Sequence, residues 1–308
     1  MGVSVTGWGT ALPEKVVTNA DFESRMDTTD EWITERTGIR ERRWGGTTVG
    51  LSVESAQKAM DVAGATPESI GLLLLATTTP DQQVPASSAS VQHALGLRCG
   101  AVDLNAACSG FAYALVMAAG MAEMGVERSL VIGTDTLSRI TDHDDRGTAI
   151  LFADGSGAVV VDRVEGPGNL LAWDLGSDGS LRHVLDADIG GYIQMQGKEV
   201  FRQAVTVMVA SARRTFEQAG VSPDEVAVVV PHQANTRIIA SAMEKLGIPM
   251  EKAALVLDRT GNTSSASIPL ALVDAVEAGR VRTGDLVLLV GFGAGMTWAS
   301  ALLRWGAA

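Results

Sequence analysis

Continuous apolar runs alternate along the chain with segments whose apolar positions recur at helical spacing. Residues 3–8 predict a strand. Residues 19–26 and 30–36 predict helices that lead into a basic stretch, 36–44. Residues 51–63 predict an amphipathic helix, and 71–77 are apolar throughout, as a strand buried on both faces requires. A helix over 86–95, a short strand over 101–104, an apolar helix over 109–124 and a buried strand over 128–134 follow. Residues 148–161 predict two extended pieces joined around Asp154, Gly155 and Gly157. The alternation predicts an α/β fold with a largely parallel sheet.

The second half repeats the pattern. It predicts a long helix over 200–218, a buried strand over 226–230 ending at Pro231, and a helix over 234–246. A short strand over 254–257, a helix over 264–276, a strand over 286–290 and a closing strand over 296–304 complete it. Each half carries a buried strand, a helix ending in Leu-Gly, a short strand running into small polar residues, a helix and another buried strand. This predicts an internal duplication, with one unit per half. Only the short Gly/Pro punctuation at 165–169 separates the units, so the expected division is 1–164 and 165–308, tightly packed.

Composition narrows the class. A chain of 308 residues, 46% hydrophobic, can bury a large core. Two cysteines cannot build a disulfide framework, which predicts a reducing, cytoplasmic setting. A net charge of −12 argues against nucleic-acid binding, because no broad positive field would attract phosphates. The longest apolar stretch, near 110–121, is too short to span a bilayer, and no membrane association is expected. Gly2 and Thr6 fit a myristoylation pattern, but residues 3–6 read better as the opening of a strand.

A duplicated α/β unit brings equivalent loops together near its pseudo-twofold axis, at strand ends where ligands gather. The first half places Cys108 there, in Asn105-Ala106-Ala107-Cys108-Ser109-Gly110. The second places His232 after Pro231, and Asn262 in Gly261-Asn262-Thr263. Cys108 stands where a strand turns into a helix, whose free N–H groups and dipole favour a thiolate. Small neighbours allow a sharp turn. Cys99 reads as packing, and His93, His143 and His183 have no comparable placement. Gly291, Gly293 and Gly295 follow a strand as a dinucleotide fingerprint would, but the chain ends before the required helix and acid. Asp142 to Gly147 resembles a calcium loop only until Ala153, where a bidentate Glu belongs. No metal-ligand spacing appears.

The chain resembles the β-ketoacyl-acyl carrier protein synthase III family of thiolase-like condensing enzymes. The resemblance rests on Thr29-Asp30-Glu31-Trp32-Ile33 with Arg36-Thr37-Gly38-Ile39-Arg40, the Cys108 loop, and Asp145-Arg146-Gly147-Thr148. It continues through Gly197-Lys198-Glu199-Val200-Phe201, Pro231-His232-Gln233-Ala234-Asn235, Gly261-Asn262-Thr263-Ser264, and Gly291-Phe292-Gly293-Ala294-Gly295-Met296-Thr297-Trp298. It implies a thiolase-like fold of duplicated βαβαβαββ halves in five layers, αβαβα. It also implies a decarboxylating condensation, in which an acyl-CoA primer acylates Cys108 and malonyl-acyl carrier protein supplies an enolate that attacks the acyl group. His232 and Asn262 would stabilise the enolate, and the N–H groups of Cys108 and Ala294 would form an oxyanion hole.

The resemblance further implies contacts. Trp32 and Arg146 would sandwich the CoA adenine, with Thr28 and Arg36 nearby, and Phe201 and Asn235 would line the pantetheine channel. Arg202, Arg237 and Lys245 would dock the acidic carrier protein, although Glu244 stands where a basic residue is common. Leu137, Phe152 and Val84 fall at acyl-pocket positions, with Val84 reaching across a homodimer interface. Its small size predicts tolerance for longer or branched primers. The segment 177–194 is short and Gly-rich for the family, so the resemblance does not define the pocket wall there. CoA thioesters enter as substrates, and no cofactor is implied. The alternative is a family member that moves the acyl group to a hydroxyl or amine, for which the Asn262 amide is not needed. A non-catalytic subunit is disfavoured by the intact Cys108, and a thiolase by the lack of a later cysteine.

Overall fold

The apolar runs assemble into two sheets of the same plan. The structure, a computed structural model, describes residues 2–166 and 168–306. Pro167, inside the predicted punctuation, lies outside the described residues, as do residues 1, 307 and 308 at the outer limits of the predicted halves. The first sheet has the order Val3–Ala11, Asp154–Arg163, Arg128–Thr136, Leu72–Ala76, Gly100–Leu104. Its last three strands are parallel and its first three antiparallel. The second sheet runs Leu170–Ser177, Thr297–Arg304, Leu286–Gly293, Val226–Pro231. Here again a parallel pair follows two antiparallel pairings.

Helices fill three layers. Gly110–Glu123 and Ser267–Glu277 lie between the sheets and touch both. The first is rich in buried alanine (Ala112, Ala114, Ala118, Ala119, Ala122), and such small residues let a helix fit between two sheets. Thr48–Ala63 and Ser87–Ala94 cover the outer face of the first sheet, and Gly197–Ala219 and Thr236–Leu246 that of the second. The result is the expected five-layered αβαβα arrangement. One core joins the halves, with Leu74, Phe111 and Val131 packed together with Val228, Ile268 and Leu289.

Two expectations need correction. Residues 254–257 do not form a strand. Only Ala253 bridges Val229, with Ala254 N donating to Val229 O at 2.8 Å. Beyond it the Gln233 side chain takes the backbone groups that a ladder would have used. Its Oε1 accepts from Val256 N and Leu257 N at 3.0 and 3.2 Å, and its Nε2 donates to the carbonyls of Pro231 and Ala254. Residues 148–151 form a turn in place of an extended piece, because Thr148 Oγ1 donates to Asp145 Oδ2 at 2.6 Å and Ala149 N donates to Asp145 O. The basic stretch 36–44 includes one cation inside the core. Arg42 is fully buried, and burial pulls its pKa down to about 10. Its guanidinium donates to Asn19 Oδ1 and the carbonyls of Val17 and Ile150. The Leu170–Ser177 strand was not anticipated, since polar Asp174 and Gly176 interrupt its apolar pattern.

Candidate active site

Two loops of matching construction meet between the sheets. In the first, Asn105 Oδ1 accepts from Ala107 N at 3.2 Å, Ala107 takes φ +47°, and a 3-10 turn over Ala107–Ser109 opens the Gly110–Glu123 helix. In the second, Asn262 Oδ1 accepts from Ser264 N at 3.0 Å, Ser264 takes φ +50°, and Ser264–Ala266 opens the Ser267–Glu277 helix. A left-handed conformation at a residue with a side chain costs roughly 1–3 kcal/mol, and here it occurs at equivalent points of both loops. The two 3-10 turns touch each other.

Cys108 is 8% exposed and borders a cavity of about 490 Å³. The Leu286–Gly293 strand presses against its backbone. A Cβ on Gly293 would stand 2.5 Å from Cys108 N, so only glycine lets the strand approach. Thr297 Oγ1 donates to Ala106 O at 2.9 Å and fixes the following strand to the same loop. The sequence pointed to a thiolate, but burial pushes the Cys108 thiol up to about 12, with Asp135 acting in the same direction. A hydrogen bond from the Ser264 side chain only partly opposes this. At rest the nucleophile is a thiol.

His232 continues the Val226–Pro231 strand, its N donating to Val290 O at 2.8 Å. It is 1% exposed, and burial pulls its pKa down to about 3, so the imidazole is neutral. The ring meets Phe292 edge-on with centroids 5.3 Å apart, and Nδ1 lies 2.6 Å from Ser267 Oγ. Asn262 is clamped to the first half, its N donating to Leu151 O and its O accepting from Ala153 N, both at 2.9 Å. Gly261 precedes it at φ +66°, and a Cβ there would stand 2.8 Å from Arg42 Cβ. Because Ser264 N occupies Asn262 Oδ1, the amide orientation is set. Its two hydrogens have no partner among the described residues and are free to donate.

A buried carboxylate, missed in the sequence, ties these loops together. Asp135 accepts from Thr77 Oγ1, from Thr78 N and Oγ1, from Thr79 Oγ1, and from Ser265 N and Oγ. Its signal was an acid at the end of the apolar strand 128–134. The cavity wall includes the expected Leu137 and Phe152, with Ala294 near Cys108. It also includes Ile140, Leu185 and Ile193, which sequence reasoning did not name. The last two close the wall from the short segment 177–194. Val84 is 82% exposed and is not part of this wall.

The remaining expected contacts form a separate cluster. Trp32 lies on the Asp30–Thr37 helix, with the Arg36 and Arg146 guanidinium groups 4.7 and 4.9 Å from its ring centroid. Both cations stack on the ring. Arg146 Nη1 also donates to Asp27 O at 2.6 Å. Thr28 is half-buried nearby, its Oγ1 without a partner. Asn235 caps the Thr236–Leu246 helix through Arg237 N and donates to Arg36 O at 3.0 Å, which links that helix to Trp32. Phe201 is half-buried, with Arg237 5.9 Å from its ring. Arg237 and Lys245 are exposed, whereas Arg202 pairs with Glu199 at 2.6 Å.

The comparisons fit this geometry. The family model for 3-oxoacyl-[acyl-carrier-protein] synthase III matches residues 102–179, and the model for its C-terminal part matches residues 216–305. The chain is 46% identical over 311 residues to β-ketoacyl-[acyl-carrier-protein] synthase III 1 of Bacillus anthracis, covering 99% of this chain and 100% of the relative. It is similar to the crystal structure of 3-oxoacyl-[acyl-carrier-protein] synthase III from Aquifex aeolicus. The TM-score there is 0.97 at 45% identity, over 99% and 100% of the two chains. The priming β-ketosynthase of the R1128 polyketide pathway is also similar, at TM-score 0.93 and 37% identity over 99% and 97%.

Proposed function

This chain belongs to the 3-oxoacyl-[acyl-carrier-protein] synthase III family, and on that premise we propose how its own residues perform the family's reaction. The enzyme condenses an acyl-CoA primer with malonyl-acyl carrier protein, giving β-ketoacyl-acyl carrier protein, free CoA and carbon dioxide. The first half supplies the nucleophile and the second the enolate-stabilising pair. The Cys108 thiol attacks the acyl-CoA carbonyl, and its proton leaves on the CoA sulfur, so no lasting thiolate is needed. The N–H groups of Cys108 and Ala294 receive the oxyanion, and the acyl chain occupies the cavity beside Leu137 and Phe152.

Malonyl-acyl carrier protein then enters. Its carbon–carbon bond breaks, carbon dioxide leaves, and charge moves to the thioester oxygen. His232 and the Asn262 amide donate to that oxygen, an interaction strongest in the transition state. The enolate carbon attacks the acyl-Cys108 carbonyl, and collapse of the adduct breaks the carbon–sulfur bond and expels Cys108 as a thiolate, which takes up a proton from solvent. The observation that carries this reading is the Asn262 amide, oriented by Ser264 N, without a partner for its hydrogens among the described residues, and leading into the turn that touches the Cys108 turn. Transfer to a hydroxyl or amine has no use for such a donor.

Trp32, Arg36, Arg146 and Thr28 would hold the CoA nucleotide, and Phe201 and Asn235 the pantetheine. Arg202, Arg237 and Lys245 would meet the carrier protein. Two copies would pair through the Gly100–Leu104 edge strand, whose Val102 is 45% exposed, and Val84 of each copy would reach the other's acyl chain. The small Val84 leaves room for longer or branched primers. Among the described residues no helix is long and apolar enough to cross a membrane, and both cysteines are free, which supports a cytoplasmic setting.

Intact-mass analysis after incubation with an acyl-CoA panel tests the reading. One acyl adduct is expected, absent in Cys108→Ala and discharged as β-ketoacyl product by malonyl-acyl carrier protein. No adduct with any acyl-CoA, or discharge only by an alcohol or amine, would contradict it.

A further inference from the structure

We infer that Ser267 is a positioning residue that holds His232 in the Nε2–H tautomer, so that the imidazole offers the reacting atoms a hydrogen-bond donor and not a base. The inference deepens the proposed reaction and rests on it for its catalytic consequence. Ser267 opens the Ser267–Glu277 helix, is fully buried, and places its Oγ 2.6 Å from His232 Nδ1. Among the described residues the hydroxyl has no other partner.

That single contact decides the tautomer. A serine hydroxyl has one hydrogen to donate. If Nδ1 carried the imidazole proton, the hydroxyl could only accept, and its own hydrogen would be buried with no acceptor. Buried donors are rarely left so, because they lose their water without replacement. If the hydroxyl donates to Nδ1, both groups are satisfied and the proton resides on Nε2. The hydrogen bond at one ring nitrogen thus sets what the other can do. A doubly protonated ring is opposed by burial, which pulls the His232 pKa far below its ordinary value.

The consequence separates the two chemical steps. An Nε2–H donor matches the Asn262 amide and serves the malonyl oxygen during decarboxylation. The same group cannot take the Cys108 proton without first losing its own, so acylation proceeds without His232 as base. Ser267 then bears on decarboxylation and not on acylation.

Nitrogen-15 spectra of histidine-labelled protein test this, with the His232 signals identified by their loss in His232→Gln. The wild type should show an unprotonated, hydrogen-bond-accepting Nδ1 and a protonated Nε2. Ser267→Ala should show both tautomers. It should lower malonyl decarboxylation about tenfold to a hundredfold, the usual effect of removing a group that orients a functional histidine. Acylation of Cys108 should stay near the wild-type rate. A wild-type spectrum with the proton on Nδ1 overturns the inference, as does a Ser267→Ala protein that keeps one tautomer and full decarboxylation. The spectrum is read without substrate, so the tautomer assignment can fail while the proposed reaction stands, and the reverse.

Discussion

The 105–110 loop and the 262–267 loop are two versions of one device. Each starts with an asparagine whose Oδ1 caps the backbone two residues on, passes a left-handed residue, and turns once before an inner-layer helix. They differ in which atom faces the reaction. At the third position after the asparagine the first loop has Cys108, which borders the cavity. The second has Ser265, whose hydroxyl donates to Asp135 Oδ2 at 2.7 Å and Ala76 O at 2.9 Å. The asparagines themselves differ in burial, with Asn262 6% exposed and Asn105 exposed, and the second half supplies no nucleophile. One geometry thus produces a nucleophile in one copy and a charge-stabilising donor in the other, by exchange of a few side chains.

The sharpest break in this symmetry compares Cys108→Ala with Ser265→Ala. The first should abolish the acyl adduct, read by intact mass, and leave a folded protein. The second should retain acylation and lose about 1–3 kcal/mol of stability in denaturant unfolding, because the buried hydroxyl hydrogen shared by Asp135 and Ala76 O is lost. Equal chemical effects would show that the two positions are not specialised. Next comes Asn262→Ala against Asn105→Ala. Removal of the Asn262 donor should slow malonyl decarboxylation about 100- to 1,000-fold while acylation persists. Asn105→Ala should not alter the ratio of the two rates, which single-turnover assays of each step would report.

The smallest effect is a stability change with pH. His232 has a folded pKa of about 3 against 6.5 in the unfolded chain, so the unfolded state takes up its proton first. Its contribution is complete above pH 6.5 and is lost as pH falls toward 3. Between pH 8 and 5 the loss from this group is about 2 kcal/mol. Unfolding free energies of His232→Gln should therefore decline less over that interval than those of the wild type. Parallel curves would contradict the burial argument.

Much of this was legible in the chain because long apolar runs have few alternatives to buried strands. Loops at equivalent strand ends suggested the duplication and drew attention to Cys108, His232 and Asn262, whose roles rested on the family resemblance. What escaped the sequence were pairings between distant positions. Gln233 replaces a strand by bonding to residues more than twenty positions away, and nothing local at 254–257 announces it. Asp135 finds donors in Thr77 to Thr79 within its own half and in Ser265 across the halves, and Ser267 finds His232 35 positions away in the sequence. At Cys108 the helix N-terminus and burial act in opposite directions. A helix N-terminus contributes at most about 2 kcal/mol toward a thiolate. Burial shifts the pKa from 9.0 to about 12, a difference of about 4 kcal/mol in the opposite direction.

The Gln233 side chain also bears on assembly. The duplication creates two equivalent sheet edges, and they are not in the same condition. At the first sheet the Gly100–Leu104 strand pairs on one side only. At the second, a glutamine amide occupies the place of the corresponding ladder and leaves no row of free donors and acceptors for another chain to join. Were both edges open, each molecule could offer a different surface at each end, and head-to-tail addition could continue without limit. With one of the pair closed, an association through the other would be self-complementary and would end at two. A single polar side chain can thereby set the arithmetic of growth for the whole particle.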